Sequence, residues 1–268
     1  RRTLADEKKT GARLIDSLEL QGELDSKRLR EIPAGDLLEA AILELEGIYF
    51  DAVIDGLTLK LRPIESLDQA GTAGIDVLIG TNKDEWYMYF DENAGWYEVQ
   101  KWIAENAPGQ AGPLLSHIEG EQNARHALDR LHTAKRMLCP ARYFASKVNE
   151  KGGRGWVYYF TRQRPGPGGE KLGAYHGTEI PYVFDMHDPW LPTQAGDREL
   201  TEVVMDYWVQ FASSGDPNLP GRPEWPAYRG ENPMVMELGD NIAAMQPPDE
   251  KLCEFLGPGR QHKAREQQ

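Results

Sequence analysis

A chain of 268 residues, 40% hydrophobic and 27% charged, can bury a sizeable core as one large domain or two small ones, which excludes a disordered chain. Its net charge of -13, with no lysine or arginine tract, argues against nucleic acid or an anionic membrane surface as partner. No apolar run approaches the roughly 18 residues that would span a bilayer, and no repeat or low-complexity tract stands out.

The chain opens on Arg1, and RRTLADEKKTGARLIDSLEL has neither the apolar stretch nor the cleavage site of a signal peptide. The expectation is a chain whose true N-terminus is missing. Residues 11–20 and 36–46 read as helices, with Leu14, Ile15 and Leu18 on one face of the first and Asp36 placed as N-cap of the second. IDVLIGTN at 75–82 suits a buried parallel strand. A long helical pattern over 121–149 follows, with Leu131, Ala134, Leu138, Ala141, Phe144, Ala145 and Val148 at helical spacing. WVYYFTRQ at 156–163 is a second buried strand, and RPGPGGEKLG reads as a flexible loop leading to His176. A helix at 199–213 turns Val203, Val204, Tyr207, Trp208 and Phe211 inward and stops at GDPN; MVMEL at 234–238 is a strand and LCEFL a short terminal helix. Strands and helices in this alternation predict an α/β fold, a mostly parallel sheet with helices on both faces.

In open α/β sheets chemistry sits beyond the carboxyl ends of the strands. Two loops leave such ends: GTNKDEWYMYF at 80–90, with Asp84 and Glu85, and AYHGTE at 174–179, with His176. A carboxylate and an imidazole on one sheet edge form a triad without its nucleophile: the acid fixes the tautomer and the imidazole takes a proton from a serine. Asp84 and Glu85 could each accept from the imidazole, and spacing alone does not choose. A histidine near a strand end is more often structural than catalytic. On composition Trp86, Tyr87, Met88 and Phe90 read as core rather than as a substrate cavity, since adjacent aromatics cannot all face one space.

LIGTNKDEW, AYHGTEIPYVFD and DYWVQFASSGDPN…WPAY resemble the type-B carboxylesterase and cholinesterase family of α/β-hydrolases, in particular its bacterial para-nitrobenzyl-esterase-like members. The resemblance runs from about residue 10 to the C-terminus, in the family's order. It implies the C-terminal part of a single α/β-hydrolase domain over residues 1–268, with Glu85 as triad acid and His176 as base. It also implies Met88 and Tyr89 as residues lining the substrate gorge and Glu179 as a carboxylate supporting the histidine loop. Trp86 departs from many animal members, which have glycine there; the departure concerns the shape of the gorge, not the acid.

In this fold the triad runs Ser, then Asp or Glu, then His. None of Ser17, Ser26, Ser66, Ser116, Ser146, Ser213 or Ser214 sits in G-x-S-x-G. The nucleophile, and the glycine-rich oxyanion loop, are expected upstream of this chain, which alone is expected to be inactive. His117, His126, His132, His187 and His262 form no ligand-spaced cluster and no H-E-x-x-H or paired C-x-x-C occurs, so neither metal nor cofactor is implied. Two thiols in a chain this long are by default free and buried. The family resemblance instead implies a Cys139–Cys253 bridge, which would place the chain in a periplasmic or secreted, oxidising compartment; free thiols would suit the cytoplasm. The function implied is ester hydrolysis on a small-molecule substrate, the alternative being a non-catalytic, cholinesterase-like adhesion module.

Overall fold

The computed structural model describes residues 3–18, 25–48, 50, 52–69, 71–187, 189–190 and 192–258. Arg1, the last two residues of the expected first helix, and His262 lie outside them. The chain divides into two compact units, Arg1–Ala70 and Gly71–Gln268.

The first unit is helical: α1 Leu4–Ser17, α2 Ser26–Arg30, α3 Ala34–Glu44 and α4 Pro63–Gln69. α1 begins seven residues before the expected start, because Thr3 and Asp6 form a reciprocal capping box that satisfies its first free N–H groups. Asp36 is not an N-cap. α3 starts at Ala34 after Pro33, and Asp36 lies in its first turn, where a carboxylate is favoured by the helix dipole.

The second unit holds β1 Asp76–Asn82, α5 Trp96–Asn106, α6 Ala111–Ile118, α7 Ala124–Thr133, α8 Cys139–Glu150, β2 Arg154–Phe160, α9 Pro167–Leu172, α10 Ile180–Phe184, α11 Ala195–Ser214, β3 Val235–Leu238, β4 Ile242–Met245 and α12 Glu250–Leu256. The four strands form one sheet in the order β1-β2-β3-β4. The first two pairings are parallel and the last is antiparallel. β4 was not anticipated; it is a short return from β3.

The side chains of β2 alternate between two cores. Trp156 and Phe160 pack with Tyr182, Val204 and Tyr207 on one face, and Val157 and Tyr159 with Leu138 and Ala145 on the other. A strand covered on both sides by helices is why WVYYF reads as a continuous apolar run. The expected helix over 121–149 is observed as α7, a π-helical segment Ala134–Leu138, and α8. Pro140 near the start of α8 has no N–H to donate, and its ring clashes with the carbonyl four residues back. A wider turn relieves both effects. RPGPGGEKLG is not a flexible loop: Pro167 opens α9, a position that suits its fixed φ. Gly169 of that segment packs so closely that a Cβ would lie 1.8 Å from the Arg164 carbonyl oxygen.

Cys139 and Cys253 are joined by a disulfide that ties α8 to α12 across 114 residues. A thiol count on denatured protein without reductant should find none, whereas two thiols would contradict the bridge. Reduction should then lower stability by about 2–4 kcal/mol in a denaturant melt.

Candidate active site

The site lies where β1 stops. β1 runs beside β2 as far as Asn82 opposite Phe160, and the Lys83 N–H still donates to the Phe160 carbonyl at 2.9 Å. There the partner changes. Asp84 donates its N–H to the Ala174 carbonyl at 3.1 Å, and its Oδ2 accepts from the Ala174 N–H at 2.8 Å. Gly173, at φ +67, makes this possible: a Cβ on it would lie 2.5 Å from Asp84 Oδ2. The loop carrying His176 is thereby laid along the end of β1.

Glu85 and His176 meet. His176 Nδ1 donates to Glu85 Oε2 at 2.6 Å. Glu85 Oε1 accepts from Thr81 Oγ1 at 2.9 Å and from the Asn82 N–H at 2.8 Å. Glu85 is 5% exposed, while the His176 side chain is half exposed. A buried acceptor on Nδ1 fixes the neutral ring with its proton there, leaving the Nε2 lone pair outward. Among the described residues no serine hydroxyl bonds His176. Asp84, the rival acid by spacing, spends its Oδ2 on Ala174.

Glu179 accepts from the Asn82 amide. Tyr89 is exposed, with its ring 6.5 Å from that of His176, and Met88 is also exposed. The expected core cluster is therefore corrected: Trp86, Tyr87 and Phe90 are half-buried and Met88 is open to solvent. Tyr87–Tyr89 is a tight 3-10 turn that sends successive side chains about 120° apart. Tyr87 stacks on His126 and Phe90 meets His132 edge-on, while Trp86 lies against His176 at 6.3 Å.

Sequence reasoning missed Thr81, Asn82 and Asp129. The first two are the polar end of an apolar strand, a signal that was present. Asp129 carried none, since it acts across 43 positions: its Oδ1 accepts from the Trp86 N–H at 2.7 Å and from Thr133 Oγ1 at 3.2 Å. It is 2% exposed. Burial, reinforced by the charge of Asp84, pushes its carboxyl up to about 8, and burial likewise raises Asp84. A cavity of about 540 Å³ has Asp84, Tyr87, His126 and Asp129 in its wall, without Glu85 or His176.

The other described histidines have local partners. His132 packs among Trp86, Phe90 and Trp102, and burial beside Arg136 and Lys135 pushes it down to about 4. His187 Nε2 bonds Thr201 Oγ1 at 2.8 Å. Among the described residues no group of three or more His, Cys, Asp or Glu side chains is arranged to hold a metal ion, and no helix is long and apolar enough to cross a membrane.

The model of the carboxylesterase family matches residues 114–256, more than half of the chain. The chain belongs to the carboxylesterase family. A para-nitrobenzyl esterase of Bacillus subtilis is 27% identical over 254 residues, which cover 90% of this chain and 50% of that relative. A solved para-nitrobenzyl esterase superposes with a TM-score of 0.76 at 23% identity, over 96% of this chain and 55% of that one. A carboxylesterase of Geobacillus stearothermophilus gives 0.79 at 24%, over 95% and 55%. The fold is thus part of the α/β-hydrolase fold, and this carboxylesterase-family chain spans about half the length of the relatives it matches.

Asp129 makes stability depend on pH. A carboxyl raised by folding contributes most below its unfolded value near 4, and that contribution is lost as pH rises through about 8. Asp129→Asn keeps an oxygen for Trp86 and removes the ionisation. The melting temperature of the wild type minus that of the variant should fall between those limits; a constant difference would contradict the assignment.

Proposed function

We propose that this chain supplies the acid and the base of a serine carboxylesterase, and that it is the C-terminal part of a single α/β-hydrolase domain whose nucleophile is carried on a segment outside it. The observation that carries the reading is the 2.6 Å contact from His176 Nδ1 to buried Glu85 Oε2, with Nε2 left without a partner among the described residues. Nε2 takes the proton of the serine as its oxygen attacks the ester carbonyl, and returns it to the departing alkoxide. Water then hydrolyses the acyl-enzyme by the same relay. Glu85 holds the tautomer and stabilises the imidazolium while Thr81 and the Asn82 N–H hold Glu85. Met88 and Tyr89 face the substrate, and Glu179 supports the histidine loop. The substrate class is a small-molecule carboxylic ester.

An adhesion module has no chemical use for a buried carboxylate aligned on an imidazole, which favours the enzyme. Alone, the chain should hydrolyse a short-chain nitrophenyl ester no faster than background, because a base accelerates nothing without a positioned nucleophile and oxyanion donors. In the protein completed by its serine-bearing segment, Glu85→Gln and His176→Ala should each lower kcat by roughly four orders of magnitude with the fold intact. Asp84→Asn should be far milder. Equal damage from Asp84→Asn and Glu85→Gln would reject Glu85 as the acid, and turnover by the chain alone would reject the outside nucleophile.

A further inference from the structure

Asn82 ends β1 and is 1% exposed. Its backbone N–H donates to Glu85 Oε1 at 2.8 Å. Its side-chain Nδ2 donates to the Tyr175 carbonyl at 2.9 Å and to Glu179 Oε2. One residue therefore touches the acid, the residue before His176 and the carboxylate three positions after it. The orientation of the amide follows from the same contacts, since a flipped amide would set its oxygen against a carbonyl and a carboxylate.

The other end of this amide has no partner. Asn82 Oδ1 is buried and accepts no hydrogen bond among the described residues. An orphaned buried acceptor destabilises a fold, and an apolar side chain of similar size would avoid it. An amide kept under that penalty is kept for its donors. The donors matter because the Asp84–Ala174 pairing anchors the histidine loop only at its entry. The exit of the loop is fixed further on by buried Tyr182 of α10, whose hydroxyl donates to Asp197 Oδ1 at 2.7 Å. The stretch between these two ends can still shift, carrying the imidazole off Glu85. Anchors on Tyr175 and Glu179, one on each side of His176, remove that freedom.

We propose that Asn82 is a positioning residue for the acid–base pair, its side-chain amide clamping Tyr175 and Glu179 so that His176 Nδ1 stays aligned on Glu85 Oε2. The inference rests on the reading of Glu85 and His176 as acid and base, and adds the residue that sets their mutual geometry. It has a consequence that does not need the nucleophile. An aligned neutral ring carries its proton on Nδ1, whereas a released ring reverts to the solution mixture, in which Nε2–H predominates.

Long-range 1H–15N correlation spectra of the His176 ring in the 268-residue chain report that tautomer directly. The wild type should show Nδ1–H as the majority form. Asn82→Leu, which removes both donors together with the orphan oxygen, should make it the minority form. Asn82→Ser, too short to span both acceptors, should fall between. Glu179→Gln, which keeps an oxygen for Nδ2, should stay like the wild type. Thermal melts show which variants fold; if Asn82→Leu does not, Asn82→Ser carries the test alone. An unchanged Nδ1–H population in a folded Asn82 variant overturns the inference, and so does failure of both variants to fold, which would assign Asn82 to the fold alone. A wild-type ring without the Nδ1 proton overturns instead the pairing of His176 with Glu85, on which the proposed function stands.

Discussion

Asp84 and Ala174 exchange two hydrogen bonds at the point where β1 leaves β2, and the position of the acid relative to the base follows from that exchange. Up to Lys83 the backbone of β1 is committed to β2. Beyond it β2 is drawn the other way, as the Thr161 N–H donates to the Leu238 carbonyl of β3 at 2.9 Å. The edge vacated by β2 is taken by the loop that carries His176, with Asp84 and Tyr175 as a bridge. The parallel register sets Asn82 opposite Phe160, and the change of partner falls at the next but one residue, Asp84. One residue later in the chain is Glu85.

The arrangement concentrates buried polar groups, and their cost explains the density of donors around them. Two carboxyl groups, Asp84 and Asp129, lie close enough for the charge of one to raise the other, and each is held by a backbone N–H of the segment it supports. Such groups are tolerated inside a protein when hydrogen-bonded and are expensive when not. Asp129 sits on α7, one turn before the π-helical segment that Pro140 imposes. Beyond that segment α8 is fixed through Cys139 to α12. The turn that follows Glu85 thus rests, through the Trp86 N–H, on a helix whose continuation is covalently tied.

What could be read from the sequence was local. WVYYFTRQ announces a strand because burial on both faces leaves an uninterrupted apolar run. IDVLIGTN is a strand by the same run, but the expected full burial is corrected, since β1 lies at the edge of the described sheet with Asp76–Gly80 half-buried. The helix ending at GDPN announces itself by its inward stripe. His176 and the Asp84–Glu85 pair follow from their places at strand ends, although choosing Glu85 took the family resemblance. What escaped was set by distant partners or by terminal chemistry. IAAM is a strand only because β3 is beside it. PGGEKL is a helix because Pro167 starts it and Gly169 fits under Arg164. α3 starts two residues before Asp36 because Pro33 already supplies its first acceptor carbonyl, to the Leu37 N–H at 3.1 Å. Asp129 and the side chain of Asn82 act across 43 and more than 90 positions, where no periodicity reaches.

In the proposed enzyme the acid–base pair is assembled within this chain and the serine is supplied from outside it. The most direct measurement is the rate at which a fluorophosphonate labels the nucleophilic serine of an α/β-hydrolase N-terminal segment, with and without this chain. Labelling should be negligible for the segment alone, rise when the chain is added, and return to background when the added chain carries His176→Ala. Labelling that rises equally with the His176→Ala chain would contradict the account.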